Sequence, residues 1–125
     1  MREKIRVLII EDDLDVMEFV KFALASFEIA TEVSYARNGL SVGFEVAKSA
    51  PELIVLDLML PDSDGFEICK NLRLNPGLQT AKIIAITGFD TPENREKILN
   101  CGADDYLAKP FELTQFRDML RKHLC

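Results

Sequence analysis

The sequence predicts a doubly wound α/β domain: a parallel sheet covered by helices on both faces. Two observations carry that prediction. The runs RVLII (residues 6–10), LIVLD (Leu53–Asp57) and KIIAIT (Lys82–Thr87) are apolar without a polar alternation, as strands buried on both faces must be. Between such runs, apolar residues recur at three- and four-residue steps, the signature of amphipathic helices.

In order, the first strand ends abruptly in Glu11-Asp12-Asp13. Leu14, Met17, Val20, Ala23/Leu24 and Phe27 then mark one face of a helix, with Asp13 placed to cap it. Residues 32–36 (EVSYA) alternate weakly and read as a short strand, which Asn38-Gly39 breaks. Leu40, Phe44 and Ala47, together with Val42 and Val46, mark a second helix that Pro51 terminates. After the Leu53–Asp57 strand and a turn over residues 61–65, Phe66, Ile68/Cys69 and Leu72 give a third helix, closed near Asn75-Pro76-Gly77. The Lys82–Thr87 strand stops at Gly88. Thr91-Pro92-Glu93 combines an N-cap, a first-position proline and an acidic first turn, so a fourth helix runs to about Cys101 with Gly102 as its stop. Asp105–Ala108 is a short last strand, followed by Lys109-Pro110 and an amphipathic helix over Leu113–Leu124, where Phe116, Met119, Leu120 and His123 can pack.

This is βα repeated five times. Crossovers of that length imply parallel, right-handed connections and a five-stranded sheet of flavodoxin-like order, 2-1-3-4-5. All 125 residues read as one domain, large enough to bury a core without staples. A net charge of −6 and a sequence pI of about 4.8 argue against binding nucleic acid or anionic membrane through this domain. No apolar run approaches a membrane span, and the N-terminal apolar stretch is too short for a signal peptide. Cys69, Cys101 and Cys125, with the one histidine His123, have no zinc-type spacing and read as free thiols in a reducing cytoplasm.

In a sheet of that order, the carboxyl ends of strands one and three meet at the switch point where ligands bind. That edge receives Glu11, Asp12 and Asp57, with Thr87 and Lys109 from the next two strands. Crowded carboxylates repel unless a cation joins them. All-oxygen ligation suits Mg²⁺ or Mn²⁺. With an ammonium (Lys109) and a hydroxyl (Thr87) alongside, the arrangement can stabilise the equatorial oxygens of a transferring phosphoryl group. Asp57 is then the nucleophile, forming an acyl phosphate. Singly, each of these residues has an ordinary structural reading as a cap or surface charge. Together, at separate strand ends, they form a site.

Four segments, LIIEDD, DLMLPDSDG, AITG and GADDYLAKPF, occur in the order and spacing of the receiver domains of two-component response regulators, and the chain resembles that family over essentially its whole length. The resemblance implies that Asp57 is the phosphoacceptor, served by a histidine kinase or a histidine phosphotransfer protein, and that the domain catalyses its own phosphorylation and slow dephosphorylation. It implies Mg²⁺ held by Asp12, Asp57 and the Met59 backbone carbonyl, with Glu11 acting through a bound water and Asp13 outside the set. Thr87 and Lys109 would bind the phosphoryl oxygens, and Tyr106 would be the switch aromatic that follows Thr87. In that family Lys109-Pro110 is usually cis. An output domain or partner would read the surface of the fourth helix, fifth strand and fifth helix.

Met119 departs from the winged-helix transcription-factor subset, which usually carries an arginine there for its dimer ion pairs; Arg117 and Arg121 serve only in another register. Three other readings are weaker. A non-phosphorylated pseudo-receiver should have lost at least one of the five site residues. A metal-dependent phosphatase needs a general acid where Met59 stands. A flavin carrier would not place EDDLD after its first strand. Whether the receiver stands alone or belongs to a larger regulator or hybrid kinase is not written in these residues.

Overall fold

The computed structural model describes residues 4–125; the first three, part of the stretch read for a signal peptide, lie outside them. Five strands, β1 (Ile5–Ile10), β2 (Thr31–Ala36), β3 (Leu53–Asp57), β4 (Lys82–Thr87) and β5 (Asp105–Ala108), form one sheet of order β2-β1-β3-β4-β5. Every pairing in it is parallel. The helices are α1 (Leu14–Ala25), α2 (Gly39–Ser49), α3 (Gly65–Leu74), α4 (Pro92–Asn100) and α5 (Leu113–Leu124).

The apolar strands divide their side chains between two cores by simple alternation. Ile5, Val7, Ile9, Leu53, Val55, Ile84 and Ile86 pack under α1 and α5. Leu8, Ile10, Ile54, Leu56, Ile83 and Ala85 pack under α2, α3 and α4. Both faces are covered, which is why the buried positions of β1, β3 and β4 short of their carboxyl tips are apolar.

The expected boundaries hold to within two residues; Asp13 and Thr91 cap their helices as expected, and Asn38, read only as a strand break, caps α2 as well. Asp13 Oδ1 accepts from the Asp15 amide (2.9 Å), Asn38 Oδ1 from Ser41 N (2.9 Å) and Thr91 Oγ1 from Asn94 N (3.1 Å). Gly102, at φ 111°, closes α4 in a conformation that side chains resist. The α2 apolar pattern needs correction. Val42 and Val46 are buried, but Leu40 and Phe44 are 90% and 69% exposed. Residues 40 and 42 lie about 200° apart on a helix, so one stripe meets the sheet and the other faces out. Leu14 likewise stands out of the α1 face it was assigned to.

Sequence pattern gave no sign of the staple at the far end of the sheet. Arg73 donates to the carbonyls of Gly102 (3.0 Å), Leu78 (3.1 Å) and Ala81 (2.8 Å), and pairs with Asp104 (2.8 Å). Asp104 Oδ2 also accepts from Ile83 N (2.8 Å). One guanidinium thus serves loop carbonyls of two connections, α3–β4 and α4–β5, and ties them together. Arg73→Ala should cost about 2–4 kcal/mol in urea unfolding, and Arg73→Lys should recover less than half, because one ammonium cannot span the set.

Candidate functional site

Register brings the acidic residues together. Ile10 pairs with Leu56 across β1 and β3, so the residues that follow, Glu11 and Asp57, leave the sheet side by side. Carboxylate oxygens of Glu11, Asp12 and Asp57 lie within 4.8 Å of one another. Glu11 and Asp57 are 0% and 2% exposed, while Asp12 is half-buried at the rim. Glu11 Oε1 accepts from Asp13 N (3.1 Å) and Asp57 Oδ1 from Met59 N (3.0 Å), which fixes both carboxylates. Asp13 caps α1, its side chain accepting from the Asp15 and Val16 amides.

The counter-charge comes from the end of β5. The Lys109–Pro110 peptide is cis, and the Lys109 amide donates to the Thr87 carbonyl (2.7 Å). Its ammonium lies 3.1 Å from Glu11 Oε2 and 3.3 Å from Asp57 Oδ2. Burial lowers the Lys109 pKa, but the charges of Asp57 and Glu11 outweigh it and raise it. One lysine does not balance three carboxylates. Burial, a hydrogen bond to Asp57 and the Asp57 charge push the Glu11 carboxyl up to about 7. Its Oε2 is buried, with the Lys109 ammonium 3.1 Å away as its counter-charge. An oxygen-rich, under-compensated cluster of this kind fits a hard divalent cation.

Thr87 is buried at the tip of β4, with its Oγ1 accepting from Phe89 N (3.0 Å) and no hydrogen bond to Asp57. Tyr106 on β5 is half-buried. Its hydroxyl donates to the Phe89 carbonyl (3.3 Å), and the Arg95 guanidinium lies 5.5 Å from its ring centroid. Thr87 and Tyr106, expected as the switch pair, therefore both bond the backbone of Phe89.

Between Asp57 and α3 the chain makes a two-residue antiparallel ladder, Met59–Leu60 against Ser63–Asp64, which the sequence did not announce. It returns the chain so closely that a Cβ at Gly65 would lie 2.4 Å from Leu58 Cα. Asp62, in the turn of that ladder, accepts from Gly39 N (3.1 Å) and ties the site loop to the start of α2.

A model of the response regulator receiver domain matches residues 7–121. The chain belongs to this receiver family. A probable transcriptional regulatory protein, SilR of Salmonella typhimurium, is 38% identical over 123 residues, 94% of this chain and 51% of SilR. The chain thus spans about half the length of the curated relatives it matches. The signal receiver domain of a DNA-binding response regulator from Colwellia psychrerythraea superposes with a TM-score of 0.89 at 28% identity, covering 95% of this chain and 97% of that one. The BeF3-activated N-terminal receiver domain of Klebsiella pneumoniae RstA does so with 0.84 at 29%, covering 95% and 97%.

On the α4–β5–α5 side, several charged side chains are paired within the chain. Asp105 is engaged within the chain by His123 (2.8 Å) and Lys122 (3.2 Å). Burial alone would raise its pKa, but hydrogen bonds from His123, the Tyr106 amide and Lys122 hold it below the usual carboxylate value. Arg121 pairs with Glu28 (2.7 Å) and Arg117 donates to Ser26 Oγ, so both arginines reach back to the end of α1. Met119 packs at the edge of the α1/α5 core. His123, expected as a packing residue, therefore also holds Asp105 at hydrogen-bond distance. Among the described residues, no helix is long and apolar enough to cross a membrane.

The raised Glu11 pKa fixes a sign for stability. Between the unfolded value near 4.5 and the folded value of about 7, the folded receiver binds the extra proton, so stability falls as pH rises through that window. With EDTA present, Asp57→Asn should raise unfolding free energy at pH 8 by about 1–3 kcal/mol and make the pH slope shallower. The slope should persist in part, because burial is the largest cause of the shift. Chemical denaturation between pH 5 and 8 reads both, and an unchanged slope would contradict the coupling.

Proposed function

We propose that this receiver is a phosphorylation-dependent signalling switch. It accepts a phosphoryl group on Asp57 from a phosphohistidine of a histidine kinase or phosphotransfer protein, with Mg²⁺ or Mn²⁺. The observation that carries this reading is the buried Asp57 flanked by Lys109, Glu11 and Asp12 within contact distance. Asp12, Asp57 and the Met59 carbonyl would hold the cation directly, and Glu11 would act through a bound water. The cation would offset phosphate charge against the three acids. The Asp57 carboxylate attacks phosphorus, and the donor nitrogen leaves opposite it with the bond electrons. Lys109 neutralises charge developing on an equatorial oxygen, and Thr87 donates its hydroxyl to another.

To reach that oxygen, Thr87 Oγ1 turns from the Phe89 amide toward Asp57. Tyr106, held at the same Phe89, then shifts its packing. The phosphoryl group thereby biases the α4–β5–α5 surface between two arrangements that an output domain or partner protein reads. A pseudo-receiver is disfavoured because Glu11, Asp12, Asp57, Thr87 and Lys109 are all present and four of them converge. The domain itself comprises residues 1–125 and acts in the cytoplasm.

Incubation with acetyl phosphate and Mg²⁺ should add the mass of one phosphoryl group to the intact protein. The adduct should be absent with EDTA and absent in Asp57→Ala; an equal adduct on Asp57→Ala would sink the reading. Met59 and Phe89, 53% and 59% exposed at the mouth of the site, hinder the attacking water and extend the acyl phosphate lifetime to minutes or longer. Replacing both with small polar residues should speed dephosphorylation, read as the decay of that adduct. An unchanged decay rate would refute their shielding role.

A further inference from the structure

The outward stripe of α2 has no function in the switch. Leu40, Gly43, Phe44 and Ala47 recur at the spacing of a helix contact seam, and all four are exposed. Leu40 is 90% and Phe44 69% exposed, among the most exposed large apolar side chains of the described chain. Their combined apolar area, on the order of a few hundred Å², matches the largest patch of a typical monomer, which is often functional. Beside the stripe runs a groove of about 320 Å³ between α2 and α3, lined by Gly43, Ala47, Val42, Val46, Ile68 and Leu72 among others. Nothing lies within 4 Å of where a Gly43 Cβ would stand. The face thus offers both large protruding side chains and a hollow to receive one.

We propose that this face is where two copies of the chain associate, α2 packing antiparallel on α2 about a twofold axis between residues 43 and 44. The order of residues along the stripe argues for a second copy over a foreign helix. Under that symmetry Leu40 of one copy faces Ala47 of the other, and Phe44 faces Gly43, each contact occurring twice. Every large side chain meets a small one, and the phenyl ring enters the groove beside Gly43. The ends agree in charge as well. Lys48, in the last turn and 6.0 Å from the Phe44 ring, meets the end of the partner α2 where Asp62 binds the Gly39 amide. The macrodipoles of antiparallel helices are also complementary. The area falls short of a standard stable interface, so the dimer is weak, with a Kd on the order of 0.1–1 mM.

Sedimentation equilibrium of the reduced protein, from about 10 μM to about 1 mM to bracket that Kd, should show a monomer–dimer equilibrium. Two variants test the face without touching the core. Gly43→Gln fills the hollow while favouring the helix in the monomer, and Phe44→Glu replaces the anchor with a charge. Neither should lower the thermal unfolding midpoint, and both should weaken dimerisation by about thirtyfold or more, the loss expected of an interface hot spot. A wild type that stays monomeric throughout overturns the proposal and leaves the stripe to a heterologous helix. A dimer that both variants leave intact overturns it too, and assigns self-association to another face.

Discussion

The structure turns on three carboxylates held at one point by a parallel sheet. Parallel pairing delivers strand ends to a common edge, and the register of β1 on β3 places Glu11 beside Asp57 with no freedom to separate. In water such a cluster would disperse. Here both acids are buried, so their repulsion is resolved by Lys109 and by proton uptake on Glu11. The same imbalance suits the site to a divalent cation and then to a phosphoryl group that carries its own charge. Stability and reactivity are two consequences of one electrostatic arrangement.

The surrounding scaffold resists relaxation of that cluster. Strands with apolar side chains on both faces cannot slip register without breaking two cores at once. Gly65 lets the ladder after Asp57 close against Leu58, and Asp62 ties that ladder to α2. At the opposite edge, the Arg73–Asp104 staple ties the α3–β4 connection to the α4–β5 connection. Rigid support at one end leaves Thr87 and Tyr106 at the other, both hydrogen-bonded to the backbone of Phe89.

Much of this was legible in the chain. Continuous apolar runs ended by charged residues identify strands buried on both faces, and they also mark where those strands stop. The acids, Thr87 and Lys109 therefore appear in the sequence already placed at strand ends. Asp13 also reads in the sequence as the cap of the helix that follows it, and the structure gives it that role. Side-chain partners between distant segments were not legible. Nothing local to Arg73 signals the carbonyls it serves, and Asp105 gives no sign of His123 eighteen residues on. Periodicity also failed on α2, because two apolar stripes share that helix and pattern alone cannot say which one meets the sheet.

The most direct test is crystallographic. Crystals grown with Mn²⁺ and beryllofluoride should show one anomalous peak bonded to Asp12, Asp57 and the Met59 carbonyl. Beryllium should sit on Asp57, its fluorides contacted by Lys109 and the Thr87 hydroxyl. A peak elsewhere, or an adduct on any carboxylate other than Asp57, would contradict the account.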